Sequence, residues 1–258
     1  MSDESQPVQR DDALSIYQAD PVLGVYVSHH PSNRLRLMAI GTVLYMLPVG
    51  ILQLVFWNAD DTIVAIVLPI LFATIAGGIL WWILHYWNRE VVLYEQGFSY
   101  RRGSATAYIL YRNVVQLVQN IERVSFLGFS RMVYDYRLVT DVDEKLTINN
   151  IYSNPDKLTR ALDAYIARDR LPIMRDKIAQ GERATFGANL HLTAEGIILN
   201  DTHLMWHDFK AQRVKNGQLI IQSTDDDGWG TLAVSEIDNP VLLIALLRER
   251  GQGKKVIS

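Results

Sequence analysis

Two long stretches without a charged side chain constrain this chain more than any other feature of its sequence. The first, from Leu37 to Trp57, has 21 residues, and the second, from Thr62 to Leu84, has 23. A helix needs about 20 apolar residues to cross the roughly 30 Å hydrocarbon core of a bilayer. We therefore predict a two-helix transmembrane hairpin over residues 34–88, with helices at about 37–57 and 62–87. A hairpin buried in a soluble core is the alternative, although such helices usually keep a polar face.

The charges that flank the two stretches predict their orientation. Arg34 and Arg36 precede the first stretch, and Arg89, Arg101 and Arg102 follow the second, whereas the connection at residues 58–61 has no Lys or Arg. Positively charged flanks remain on the cytoplasmic side of a membrane. We therefore expect an integral, multi-pass membrane protein with both termini in the cytoplasm. The first stretch is too long, and begins too far from Met1, for a cleaved signal peptide.

The chain after Asn88 contains the same order of sequence features twice. Each copy has a Gly within a strand-turn-strand pattern, then an aromatic residue two places before Asn or Asp, then an Asn-Pro pair before a helical pattern. The features occur at Gly97, Tyr111/Asn113 and Asn154-Pro155, and again at Gly196, Trp206/Asp208 and Asn239-Pro240. Three matches in one order favour an internal duplication. From Gly to Asn the copies span 57 and 43 residues, and we place the extra residues in IERVSFLGFSRMVYD, as a longer hairpin or loop.

The two Asn-Pro pairs predict where helices begin. The side-chain oxygen of Asn can accept a hydrogen bond from the free amides of a first helical turn. Proline suits the first helical position, where an N–H group is not needed. We predict helices from Pro155 to about Arg168 and from Pro240 to about Arg250.

Several antiparallel strands closed by one C-terminal helix resemble the pleckstrin-homology-like (PH-like) barrel. With the hairpin included, residues 35–250 or so resemble bacterial membrane proteins of unknown function that carry PH-like domains in the cytoplasm. The resemblance implies a membrane α-hairpin plus α+β or mainly β PH-like barrel domains, each closed by a C-terminal helix. It also implies a bacterial plasma membrane. One larger α+β domain in place of two PH-like domains is the alternative.

These patterns divide the chain into six predicted segments. They are a flexible N-terminal segment (1–33), the hairpin (34–88), a first PH-like domain (89–171), a basic linker (172–184), a second PH-like domain (185–251) and a tail (252–258). Residues 172–184 could instead continue the helix that closes the first domain.

The sequence indicates no catalytic, cofactor-binding or metal-binding residues. The chain has no cysteine, and it lacks a nucleophile elbow, a phosphate loop and a dinucleotide fingerprint. His203 and His207 lie on a predicted strand, where positions four apart are about 13 Å apart and too distant for one metal ion. His29-His30 fits an exposed pair beside the membrane, and Asp225–Gly228 fits an acidic turn without the ligand spacing of a calcium loop. We therefore expect no enzyme and no cofactor.

Three arginines are the candidate lipid contacts. Arg89, Arg101 and Arg102 follow the second helix closely, and an anionic headgroup attracts a charge near the surface by about 1 kcal/mol. These residues could instead serve only to set the topology. The net charge of −3 gives no field that would favour nucleic acid.

We expect a non-catalytic binding or scaffolding platform in the membrane. Its partners would be the bilayer, anionic lipid headgroups, an unidentified protein or a second copy of the chain. The first alternative is an auxiliary subunit of a larger membrane complex assembled through the hairpin. The second is an enzyme of unrecognised type.

Overall fold

The computed structural model describes residues 19–56, 61–126, 129–225 and 228–252. Four predicted features lie wholly or partly outside these residues. They are the start of the flexible N-terminal segment, the short connection at 58–61, the acidic turn at Asp225–Gly228 and the C-terminal tail.

The described chain begins with two strands and a helical hairpin. Strands β1 (Ala19–Asp20) and β2 (Gly24–Pro31) precede helices α1 (Arg34–Val55) and α2 (Asp61–Trp87). Both helices are long and apolar enough to cross a membrane, and almost none of their described side chains is buried in protein. This exposure is incompatible with the alternative of a hairpin buried in a soluble core.

Two antiparallel sheets and a long helix complete the first unit. Strands β3 (Glu90–Tyr94), β4 (Gly97–Arg102) and β5 (Ala105–Leu110) extend β1 and β2 into one sheet, in the order β1-β2-β3-β4-β5. A 3₁₀ turn at Tyr111–Asn113 leads into the second sheet, formed by β6 (Val114–Phe126), β7 (Phe129–Thr140) and β8 (Lys145–Asn149). Helix α3 (Pro155–Ala179) follows.

The second unit has the same order of sheets and C-terminal helix, without counterparts of β1, α1 and α2 among its described residues. Strands β9 (Ala184–Thr185), β10 (Leu190–Leu192), β11 (Gly196–Leu199) and β12 (Thr202–Met205) form one sheet. Strands β13 (Phe209–Lys215), β14 (Gln218–Ser223) and β15 (Gly230–Ala233) form the other, and helix α4 (Pro240–Gln252) ends the unit.

The predicted closed barrels are not present in the described part of the chain, where all four sheets are open. In the first unit an isolated bridge between Ser32 and Tyr152 joins the two sheets. Each unit nevertheless has its own apolar core between its sheets and its helix. Buried residues of these cores include Phe98, Leu138 and Ile148 in the first unit, and Leu190, Phe209 and Leu219 in the second.

The helical hairpin is inserted within the first unit. Strand β2 precedes the hairpin and β3 follows it, and the two strands pair antiparallel, with His30 opposite Val91. The equivalent strands of the second unit, β9 and β10, are joined by residues 186–189 alone. The prediction of a flexible segment over residues 1–33 is therefore wrong for residues 24–31. These residues are ordered because they pair with backbone groups of β3 that would otherwise form an open sheet edge.

Tyr111 and Trp206, the matching aromatic residues of the two units, make equivalent hydrogen bonds. The Tyr111 hydroxyl donates to the carbonyl oxygen of Tyr94 at 2.9 Å, and Nε1 of Trp206 donates to that of Thr193 at 3.1 Å. The strands that follow, β6 and β13, each contain one register shift near their start. The features that suggested a duplication thus occupy matching places in both units.

The Asn-Pro pairs begin α3 and α4, but the two asparagines do not cap these helices as predicted. Asn154 and Asn239 have φ angles of 50° and 52°, in the left-handed region. The Asn154 side chain makes no capping hydrogen bond, and Oδ1 of Asn239 has no partner. Asn tolerates left-handed backbone better than most residues with a Cβ. The left-handed backbone conformation therefore explains why an Asn precedes each of the two prolines.

Helix α3 extends through much of the predicted linker. It continues past Pro172 to Ala179, as in the alternative that the linker prolongs the first C-terminal helix. Its first half buries Leu158, Leu162 and Ile166 in the first core, and its second half buries Met174 and Ile178 in the second. Because apolar side chains are buried on both sides of Pro172, the helix persists despite the roughly 3 kcal/mol cost of an internal proline.

Candidate functional site

The candidate site lies where the two apolar helices leave the first unit. We call this region the helix-bearing end, and it comprises residues 32–36, 87–90, 101–105 and 149–152. The Asn33 side chain accepts a hydrogen bond from the Arg36 amide at 3.0 Å, and the Ser32 hydroxyl donates to the Trp87 carbonyl at 2.7 Å. Arg36 also donates to the carbonyl of Asn150 at 2.6 Å. The helices are therefore attached to both sheets without a flexible linker.

Arg89 lies inside the protein at this end. The residue as a whole is only 9% exposed. The guanidinium contacts His85 at 3.0 Å and lies over the ring of Tyr86, 4.0 Å from the ring centroid. Arg89 thus fixes the last turn of α2 to the start of β3, and it is not available to an external headgroup in this conformation.

Arg101 and Arg102 lie together beside the turn between β4 and β5. Arg101 pairs with Glu90 at 3.3 Å, and Glu90 also lies 3.0 Å from Nε2 of His29. Arg102 is exposed and lines a cleft of about 320 Å³ with Tyr100 and Lys145. The structure therefore places two of the three predicted arginines at the same end of β4, on opposite faces of the strand, and separates Arg89 from them.

Two further cations belong to this end of the unit. Lys145, at the start of β8, lies across the cleft from Arg102, and Arg34 lies 5.1 Å from the ring centroid of Trp87. Sequence reasoning used Arg34 only as a topology signal and did not single out Lys145. No local pattern could have indicated Lys145, because its position depends on how the second sheet packs against the first.

The histidines form no metal centre in the part of the chain that the structure describes, where no group of three or more His, Asp or Glu could hold an ion. His203 lies on β12, opposite Ile198, and His207 lies 3.2 Å from a carboxylate oxygen of Asp208. His30 is buried beside Ser153, and burial lowers its pKa. A lowered pKa keeps the imidazole neutral at pH 7.

Comparison with known proteins identifies a family and no function. No curated protein and no solved structure matched the chain. The chain matches a family of unknown function, DUF6585, over residues 13–255, which is nearly its whole length. The protein therefore belongs to the DUF6585 family.

Proposed function

We propose that this protein is a non-catalytic binding platform anchored in a bacterial plasma membrane. In this proposal α1 and α2 span the bilayer, both termini are cytoplasmic, and the two units are PH-like modules. The helix-bearing end contacts anionic lipid headgroups, while the second unit is held in the cytoplasm for a protein partner. No catalytic activity is included in the proposal.

The observation that carries this proposal is the rigid connection between the helices and a basic surface. Ser32 donates to the carbonyl of Trp87, at the end of α2, at 2.7 Å, and Arg36 donates to that of Asn150, directly after β8, at 2.6 Å. Arg101, next to Arg102 at the end of β4, pairs with Glu90, three residues after α2 ends. If α1 and α2 span a bilayer, the two arginines are therefore held at the level of its headgroups, where each charge contributes about 1 kcal/mol.

Aromatic residues at the end of α2 support the same placement. Trp81 stacks on His85, Trp82 packs against Tyr86, and Trp87 ends the helix. Tryptophan and tyrosine favour the interface between headgroups and hydrocarbon. This belt lies next to the arginines, as expected for the boundary of a membrane.

The order of elements supports two PH-like modules. Strands β1–β5 and β9–β12 form the first sheets, strands β6–β8 and β13–β15 form the second, and α3 and α4 close the units. Several antiparallel strands followed by one C-terminal helix is the order of elements that the resemblance implies. PH-like folds serve as binding surfaces for lipids, peptides and proteins, so the fold is compatible with either ligand class.

The most direct test removes the hairpin and retains both units. We define the hairpin-less variant as the chain in which a four-residue linker joins Ser32 to Asn88. The variant is mixed with neutral vesicles and with anionic vesicles at low and moderate salt, and bound protein is sedimented. We expect binding only to anionic vesicles, and we expect salt to weaken it because the attraction is electrostatic.

Charge reversal identifies the surface that binds. Arg101→Glu combined with Arg102→Glu should weaken binding to anionic vesicles about thirtyfold or more, since two attractions of about 1 kcal/mol each are lost and repulsion replaces them. The matched control reverses Arg213 and Lys215, two exposed residues of β13 in the second unit. Equal losses in both variants, or no binding by the parent, would contradict the headgroup proposal and leave the arginines as topology signals.

The alternative, a subunit assembled through the hairpin, is favoured by one observation on α2. Ala73 and Gly77 are exposed, and a Cβ added at Gly77 or Gly78 would meet no atom within 4 Å. Small residues four apart allow close approach of a second helix.

Because the chain has no cysteine, Ala73→Cys would give a crosslinked dimer on mild oxidation if a second copy packs here. Leu84→Cys, with an exposed side chain nearer the end of α2, is the control.

A further inference from the structure

The hairpin formed by β6 and β7 is much longer than the sheet to which it belongs. The two strands pair from Val114 and Thr140 to Phe126 and Phe129, whereas β8 covers β7 only from Asp135 to Val139. Beyond that point the strands form a two-stranded ribbon. The described side chains at its base include three apolar ones that are 37–43% exposed, namely Ile121, Met132 and Val133.

Such a ribbon is unusual for a surface that faces only water. Two strands without a third are marginally stable in water, and exposed apolar groups add a hydration cost. Ile121 and Met132 are on the same face as Tyr136 and Leu138, which are buried in the first core. The apolar face of the sheet therefore continues past the core, where the described protein does not cover it.

The base of the ribbon is attached to the start of α1. The Asn150 side chain accepts a hydrogen bond from the Tyr134 amide at 2.6 Å and donates to the Met132 carbonyl at 2.8 Å. The carbonyl of Asn150 accepts from Arg36, in the first turns of α1, at 2.6 Å. One residue thus connects the ribbon to the helix at the level where the helix would enter the bilayer.

Strand β8 lies across the helix-bearing end. Its first residue, Lys145, lines the cleft with Arg102, and the turn after its last residue contacts Arg36. Strand β7 runs beside β8 and then continues beyond it. The ribbon therefore extends outward from the end of the unit that carries the helices, not from the opposite end.

The second unit provides an internal comparison. Its equivalent hairpin, β13 and β14, ends in a two-residue turn at Asn216-Gly217, directly after Lys215 pairs with Gln218. Both turn residues have positive φ angles, 53° and 72°, as a tight hairpin requires. The described residues of the second unit, 184–225 and 228–252, include neither an inserted helical hairpin nor a ribbon. Among the described residues, the extension thus occurs in the unit that carries the apolar helices.

We infer that the ribbon is a further membrane contact that lies in the interfacial layer of the bilayer beside α1. This inference rests on the proposed function, because it requires α1 and α2 to span the membrane. The bilayer interface removes the apolar side chains at the ribbon base from water while the polar backbone edges stay hydrated. With two helices and a lateral ribbon as three separate contacts, the first unit cannot rotate freely about the hairpin.

The inference is tested with the full-length protein in proteoliposomes. The absence of cysteine allows one environment-sensitive fluorophore to be attached at a single introduced thiol. The test variants are Ile121→Cys and Met132→Cys. Val214→Cys is the matched control, because Val214 is 50% exposed on the equivalent hairpin of the second unit. Quenching by lipids that carry a quencher below the headgroup reports contact with the bilayer.

We expect quenching at positions 121 and 132 to be about threefold or more stronger than at position 214, because an interfacial segment lies roughly 5–10 Å within the boundary. Val43→Cys, in the middle of α1, reports whether the helix is in the bilayer at all. Quenching at position 43 with equal, weak quenching at 121, 132 and 214 would overturn the inference alone. No quenching at position 43 would overturn the proposed membrane anchor and the inference with it.

Discussion

At the scale of single residues, two glycines have the clearest structural requirement. A Cβ added at Gly97 would lie 2.3 Å from the carbonyl oxygen of Ile109, and one added at Gly196 would lie 2.1 Å from that of Leu204. The strand backbones cannot move apart without breaking sheet hydrogen bonds. We therefore expect Gly97→Ala and Gly196→Ala each to lower the free energy of unfolding by about 2–3 kcal/mol.

Thermal or denaturant unfolding of the hairpin-less variant measures this effect. Gly103→Ala is the control, because its added Cβ would meet open space and only its φ of 65° opposes the change. We expect Gly103→Ala to lower the free energy of unfolding by about 1 kcal/mol. A loss at Gly97 or Gly196 no larger than that at Gly103 would show that the close approach of the strands does not limit these positions.

Asp163 gives the protein a pH-dependent stability. Its carboxylate accepts a hydrogen bond from Gln119 at 2.6 Å, yet burial raises its pKa to about 7. An unfolded Asp has a pKa of about 3.9. Between these two pKa values the Asp163 carboxyl is ionised in the unfolded chain but still protonated in the folded protein. The free energy of unfolding therefore falls as the pH rises from about 4 to about 7.

We expect Asp163→Asn to remove this loss, because the amide keeps an oxygen for Gln119 and carries no charge to desolvate. At pH 8 the free energy of unfolding should rise by about 2 kcal/mol, less than the full shift implies because the side chain is partly exposed. Near pH 4 the variant should match the parent. Unfolding curves that show the same difference at pH 4 and at pH 8 would refute the assignment.

At the scale of elements, the insertion of α1 and α2 between β2 and β3 makes a specific prediction. Ser32 and Arg89 are already joined by a backbone hydrogen bond of 2.8 Å, so a short linker can replace the hairpin. We expect the hairpin-less variant to be soluble and folded, with strand and helix content shown by circular dichroism. The control lacks residues 1–31 as well as the hairpin.

The control should aggregate or unfold, because without β2 the edge of β3 is open. If the two variants behave alike, β2 is not part of the first unit and the hairpin is a separate N-terminal element. Insoluble protein in both cases would also contradict the insertion, since the units would then depend on the hairpin for folding.

At the scale of the whole molecule, the two units should unfold together. Helix α3 buries side chains in both cores, the Asn239 amide donates to the Leu117 carbonyl at 2.8 Å, and Gln116 donates to Asp238 at 2.8 Å. We expect Leu162→Ala in the first core and Met174→Ala in the second each to cost about 3 kcal/mol. Both variants should lower the midpoint of one shared calorimetric transition. Two transitions, each sensitive to one variant, would indicate independent units.

Much of this architecture could be predicted from local sequence patterns. The apolar helices depend only on composition and length, and the matching Gly, aromatic and Asn-Pro positions depend on local backbone geometry. The place of β2 could not be predicted, because its pairing partner β3 lies beyond the hairpin, about 60 residues later in the chain. The continuity of α3 through Pro172 was one of two alternatives that the sequence left open, since the choice depends on burial against a second core.

The candidate site was only partly predictable for a similar reason. Arg101 and Arg102 are adjacent in sequence, so their shared place beside one turn follows from the sequence. The burial of Arg89 depends on His85 and Tyr86 in the preceding helix, and the nearness of Lys145 to Arg102 depends on the packing of two sheets. All three arginines are close in sequence to the end of α2, and this closeness did not distinguish the buried arginine from the exposed ones.

The measurement that most directly tests the central claim is the sidedness of the full-length protein in intact cells. Single cysteines are introduced at Ala59, in the connection between the helices, and at Val142, which is 73% exposed after β7. Each is reacted with a membrane-impermeant maleimide before and after permeabilisation. A membrane-spanning hairpin with cytoplasmic units predicts labelling at position 59 from outside, and at position 142 only after permeabilisation. Labelling at position 142 in intact cells would contradict the account, because the basic surface would then face away from the cytoplasm.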